Sequence, residues 1–97
     1  MNHRDQYGQT PLYYAAREGH VDLTQKLLAY GADVNNEDLN GQTALFYAAS
    51  KGQKEVCELL IKHGAQVNKL DKKRQSPMHW AKKFEKAEVV YNKFIER

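Results

Sequence analysis

The stretch DLNGQTALFYAASKGQKEVCELLIKHGAQVNKL, Asp38–Leu70, decides the fold, because both of its neighbours match it at a constant offset. Gly8 and Gly41 lie 33 positions apart, and so do Thr10 and Thr43, Leu12 and Leu45, Gly19 and Gly52, Gly31 and Gly64, and Asn35 and Asn68. Ser76, Pro77, Met78, Trp80 and Ala81 continue the same 33-residue step in a weaker third copy. Self-similarity at such a period marks a repeat architecture, in which each unit buries its apolar face on the next and no central core is needed. The chain therefore reads as one repeat domain over residues 1–97, with units near 5–37, 38–70 and 71–97.

Within each unit the signals recur in order. Asp5-Gln6-Tyr7-Gly8 reads as a turn, Thr10 as a helix cap and Pro11 as the favoured first helical residue, so a short helix should run from Pro11 to about Arg17. Gly19 stops it. His20 and Asp22 open a second helix with Leu23, Leu27 and Leu28 along one face, and Gly31 closes it before an extended exit through Asn35. The second unit repeats the sequence of signals: turn at Asp38–Gly41, cap at Thr43, helix Ala44–Ser50, break at Gly52, then a helix with Val56, Leu59, Leu60 and Ile61 on its apolar side. In the third unit Arg74 stands where Gly8 and Gly41 stood and Glu85 where Gly19 and Gly52 stood. Ser76-Pro77 still starts a helix, expected to reach about Phe84, and a second stripe runs through Val89, Val90, Tyr91, Phe94 and Ile95. Lys93, Glu96 and Arg97 place charge where a further unit would dock, which identifies a carboxyl-terminal cap. At the amino end Leu12, Ala15, Leu23 and Leu27 have no preceding unit, so that face is expected to be partly open, to continue into a longer protein, or to dock on something.

Composition narrows the class. A hydrophobic fraction of 41% with 28% charged residues is ordinary for a folded soluble domain. No apolar run is long enough to span a bilayer, and one cysteine, Cys57, cannot form an internal disulfide, so cytosol or nucleus is expected. The net charge of +3 hides an asymmetry: residues 69–97 carry nine Lys/Arg against four acids, and residues 1–68 carry six against eight. His3, His20, His63 and His79 show no zinc spacing, and none lies within helical reach of Cys57; the glycines are too dispersed to cradle a phosphate. Neither catalysis nor a bound cofactor or metal is expected.

These residues resemble the ankyrin repeat family. The resemblance runs over about residues 5–97 and is carried by Gly8-Gln9-Thr10-Pro11-Leu12-Tyr13-Tyr14-Ala15-Ala16, Gly19-His20, Leu27-Leu28 and Gly31-Ala32-Asp33-Val34-Asn35. It implies an all-α solenoid of antiparallel helix pairs, with hairpin-like turns projecting at one edge of a concave side. The histidine that usually follows Thr-Pro-Leu is Tyr13 and Phe46 in the first two units and is kept only as His79, so aromatic packing should replace the usual tie between neighbouring turns. Asparagines placed like Asn35 and Asn68 can be hydroxylated in such proteins, although hydrogen bonding is the simpler role for them.

The resemblance also implies a function, binding another protein or peptide. Tyr14, Tyr47 and Trp80 recur at the repeat step, and helical spacing adds Arg17, Glu18, Ser50, Lys51, Lys83 and Phe84 to the same face, the concave one in this family. Tyr and Trp are enriched at binding hot spots. The turn tips Tyr7, Gln9, Leu39, Asn40, Gln42, Lys72 and Lys73 form a second candidate surface, with an acidic partner segment suited to the basic third unit. The alternatives are an assembly segment of a larger protein docking through its amino face, and a basic module for nucleic acid.

Overall fold

The computed structural model of the 97-residue chain describes residues 3–79. Four α-helices follow in order: α1 (Pro11–Glu18), α2 (Val21–Ala29), α3 (Ala44–Ser50) and α4 (Lys54–Lys62). A further helix begins at 77 and is described through 79, and no strand occurs among the described residues. Helices of 7 to 9 residues do not persist alone in water, so packing must hold them. Each pairs with its neighbour in sequence, and the pairs stack so that α1 lies on α3 and α2 on α4. The result is two layers of helices, as expected of an all-α repeat stack.

The core sits between these layers and is built of small and branched residues: Leu12, Ala16 and Leu28 from the first unit, and Ala44, Leu45, Ala48, Val56, Cys57 and Leu60 from the second. Alanines at the crossing let the inner helices α1 and α3 approach closely. All four helices end alike. At α2 the Ala32 N–H reaches the Leu27 carbonyl and the Gly31 N–H the Leu28 carbonyl, and at α4 Ala65 and Gly64 do the same to Leu60 and Ile61. This double bond pattern needs a left-handed residue, supplied by Gly31 (φ 95) and Gly64 (φ 96).

Several expectations are corrected. Thr10 and Thr43 occupy the cap positions in extended conformation, but their side chains make no capping bond. The N–H groups of Tyr13 and Phe46 bond instead to the carbonyls of Thr10 and Thr43, both at 3.0 Å, and the buried Thr43 hydroxyl has no partner among the described residues. Ser76 does cap, its Oγ accepting from the His79 N–H at 3.3 Å.

Leu23 is not core: it is 40% exposed, whereas Val56, its counterpart one unit later, is 1% exposed and has α2 in front of it. The inward residues of α2 are Leu28 and Thr24, and the Thr24 hydroxyl donates to the His20 carbonyl at 2.7 Å. Leu12 and Ala15, expected to lie open at the amino face, are buried; Leu12 belongs to the cluster shared with α3 and α4, and Ala15 has only a methyl group to hide.

The third turn keeps the punctuation its sequence lacks. Arg74 takes the left-handed conformation itself, at φ 61, and its N–H bonds to the Asp71 carbonyl at 2.9 Å. The second stripe, from Val89 to Ile95, and the charged carboxyl-terminal cap lie outside the described residues.

Candidate protein-interaction surface

Each turn is organised by one aspartate. Asp5 Oδ1 accepts from the N–H groups of Tyr7 (2.8 Å) and Gln9 (3.0 Å). Asp38 Oδ1 accepts from Asn40 (2.9 Å) and Gln42 (3.0 Å), and Asp71 Oδ1 from Lys73 and Gln75, both 2.9 Å. The bonds from Gln9 and Tyr7 stabilise the ionised Asp5 and hold its carboxyl below the ordinary value of 3.8. Successive tips are then joined through the backbone: the Leu39 N–H bonds to the Tyr7 carbonyl and the Lys72 N–H to the Asn40 carbonyl, each at 3.0 Å.

A second ladder uses the other carboxylate oxygen. Gln9 Nε2 donates to Asp38 Oδ2 at 3.2 Å and to the Tyr47 hydroxyl at 3.0 Å, and Tyr47 in turn donates to Asp38 Oδ2 at 2.6 Å. One unit on, Gln42 Nε2 donates to Asp71 Oδ2 at 2.9 Å. The Tyr13 hydroxyl reaches across to the carbonyl oxygens of Asn36 and Gln42, the latter at 2.7 Å, and its ring meets that of Tyr47 edge-on at 5.6 Å. A hydrogen-bonded tie between the first two turns therefore survives the loss of histidine, because the longer tyrosine delivers a hydroxyl to the same neighbourhood. Burial pushes the Tyr13 and Tyr47 phenols well above their ordinary range, and for Tyr47 the bond to the Asp38 carboxylate adds to it. On the opposite side, Asn35 donates to the Gly64 carbonyl and accepts from the Gln66 N–H, both at 3.1 Å, so the units are pinned at both edges.

This geometry sorts the candidate residues. Tyr14 stands half in solvent beside His20, and Arg17, partly buried, pairs with the exposed Glu18 at 3.7 Å. Ser50 and Lys51 lie at the end of α3, Ser50 partly buried and Lys51 exposed. Tyr7, Leu39, Asn40, Lys72 and Lys73 are exposed at the tips. Gln42 is a correction: only 8% exposed and bonded to Asp71, it is a rung of the stack rather than a tip. Gln9 and the Tyr47 hydroxyl are likewise engaged in the ladder, and Tyr47 as a whole is only partly exposed. Trp80, Lys83 and Phe84 lie outside the described residues. A pocket of about 340 Å³ opens between α3 and the second and third turns, lined by Asn40, Gln42, Phe46, Tyr47, Ser50, Asp71, Lys72 and Lys73. The sequence offered no sign of Phe46 and Asp71 there, since both read as packing and turn residues.

Cys57 is fully buried and burial pushes its thiol up to about 12, so it holds its proton at neutral pH. Among the described residues no His/Cys/Asp/Glu group is placed to hold a metal, and no helix is long and apolar enough to cross a membrane.

A family model for ankyrin repeats in three copies matches residues 24–92, and a single-repeat model matches residues 7–39. The chain belongs to the ankyrin repeat family. Among curated proteins it is 51% identical over 35 residues to human ankyrin repeat domain-containing protein 49, a match covering 36% of this chain and 15% of that protein. An ankyrin repeat protein of fowlpox virus (strain NVSL) is 49% identical over 35 residues, covering 36% of this chain and 5% of that protein. The chain thus aligns with a small part of the length of these relatives. Ankyrin repeats are generally protein–protein interaction modules and generally non-catalytic, and the paired helices and projecting turns described above are the frame on which such a surface is carried.

Proposed function

We propose that the chain binds a partner protein through the concave side of α1 and α3 and the adjoining turn tips. The observation that carries this reading is the pocket between α3 and the second and third turns, set on a backbone that two ladders and the Asn35 bonds hold in place. A surface ordered before the partner arrives leaves less conformational entropy to be lost on association. Tyr14 and the partly exposed Tyr47 offer aromatic area, and Arg17, Ser50 and Lys51 supply polar contacts around it. The buried thiol and lack of a second cysteine suit a reducing compartment, cytosol or nucleus.

Affinity capture from cell extract tests the reading, with the parent chain run beside Tyr14→Ala/Ser50→Arg. Neither residue is in the core, so helical signal and unfolding midpoint should stay put. A protein recovered by the parent and lost by the variant supports concave-face binding, whereas equal recovery by both refutes it. A second reading, assembly through the amino face, has one observation in its favour, the exposed Leu23 beside the partly buried Leu27 on α2. Concentration-dependent mass abolished by Leu23→Glu would establish it.

A further inference from the structure

Resting on that concave-face reading, we infer that the partner segment is acidic, with its carboxylates over the third turn and an apolar side chain over Tyr7 and Leu39. The tip row changes character along the stack. Tyr7 and Leu39, joined by the Leu39 N–H bond to the Tyr7 carbonyl, are both more than half exposed and make a small apolar step. The next tip carries Lys72, Lys73 and Arg74, all exposed, and none of them has an ion pair among the described residues.

Among the described residues, three other cations already have partners. Lys69 pairs with Glu37 at 2.9 Å and Arg17 with Glu18 at 3.7 Å, while Arg4 donates to the carbonyls of Gly8 and Glu37. Asp71, the carboxylate closest in sequence to the three cations, is buried and accepts from two backbone N–H groups and Gln42. Among the described residues, three cations without an ion pair therefore cluster at the third turn, and Lys72 and Lys73 line the same pocket as Ser50. The Lys72 Cγ lies 3.3 Å from where a Cβ on Gly41 would stand, so the base of its side chain runs beside the Gly41 backbone. Such a cluster attracts carboxylates, raises the association rate and fixes the register of a bound segment.

Panning phage-displayed random dodecapeptides on the immobilised full chain at 0.1 M salt tests this. Enriched peptides are then synthesised and measured by fluorescence anisotropy against the parent, Lys72→Ala/Lys73→Ala and Tyr14→Ala/Ser50→Arg, with a 12-base-pair DNA duplex as competitor. The expected result is Asp/Glu enrichment next to an apolar residue, with binding about tenfold weaker for the double lysine variant, weaker in high salt, and weakened equally by Glu→Gln in the peptide. Peptides of no acidic bias that ignore the lysine variant but lose binding with the Tyr14/Ser50 variant overturn this inference and leave the concave-face reading standing. No enrichment, or binding indifferent to both variants, overturns both. Duplex DNA displacing the peptides at equal or lower concentration overturns the inference as well, by assigning the cations to nucleic acid.

Discussion

Gln42 donates to the carboxylate of Asp71 at 2.9 Å with both side chains almost wholly removed from solvent, and Gln9 makes the same bond to Asp38 one unit earlier. The glutamine after each turn glycine thus joins its own unit to the next one. A neutral donor to a buried carboxylate is worth more than an exposed pair, so Gln42→Ala should lower stability by about 1–3 kcal/mol in urea unfolding. Asp71→Ala should cost more, since it also releases the N–H groups of Lys73 and Gln75.

The left-handed conformation of Arg74 is a removable strain. Side chains with a Cβ pay roughly 1–2 kcal/mol there, so Arg74→Gly should raise the unfolding free energy by about 1 kcal/mol, less what glycine gives back in unfolded-chain entropy. Gly41→Ala should do the reverse and more, because φ is +73 and a Cβ would meet the Lys72 nitrogen at 3.1 Å. Equal midpoints for Arg74→Gly and parent would show that this turn is not strained.

Tyr13→Phe keeps the ring and its contact with Tyr47 but withdraws a hydroxyl from the Asn36 carbonyl of its own unit and the Gln42 carbonyl of the next. The expected cost is about 1–2 kcal/mol, seen as a lower midpoint with an unchanged helical signal.

Cys57 should not react with a thiol reagent in the native chain at pH 8. Its rate should follow global unfolding and rise with urea in step with loss of helix, as a buried thiol with its pKa pushed up to about 12 requires.

Two pH limits follow by linkage. Tyr13 and Tyr47 have folded pKa values raised above the unfolded one, so their contribution is fully present below about pH 10 and is lost as pH rises beyond it. Unfolding midpoints should fall above pH 10, and Tyr13→Phe should flatten that fall. Asp5 is shifted the other way: its contribution holds above the ordinary 3.8 and disappears as pH drops through its lower folded value. Exchange of the Tyr7 and Gln9 amides should accelerate only in that acid range.

Helix ends were the most legible part of the chain, because Pro11 and the glycines after each helix act through their own backbone. Ala44–Ser50 is found where the spacing puts it. What depends on a neighbouring unit was harder to read. Leu23 carries the same apolar signal as Val56, yet only Val56 is covered. Gln42 looks like a polar turn residue, and nothing local says that its amide finds Asp71 across the stack. Tyr14 and Tyr47 share a register, but Asp38 captures one hydroxyl and leaves the other ring half in water. Composition shows a basic third unit and could not tell that Asp71 is turned inward there.

Neighbouring tips are tied by Leu39 N–H to the Tyr7 carbonyl and Lys72 N–H to the Asn40 carbonyl, bonds in which no tip side chain takes part. Those side chains can therefore be rewritten by mutation at little structural penalty, provided the aspartate that starts each turn stays. The molecule separates a frame made by backbone bonds and turn aspartates from tip side chains free to vary, so the surface proposed above can change its chemistry without a change of frame.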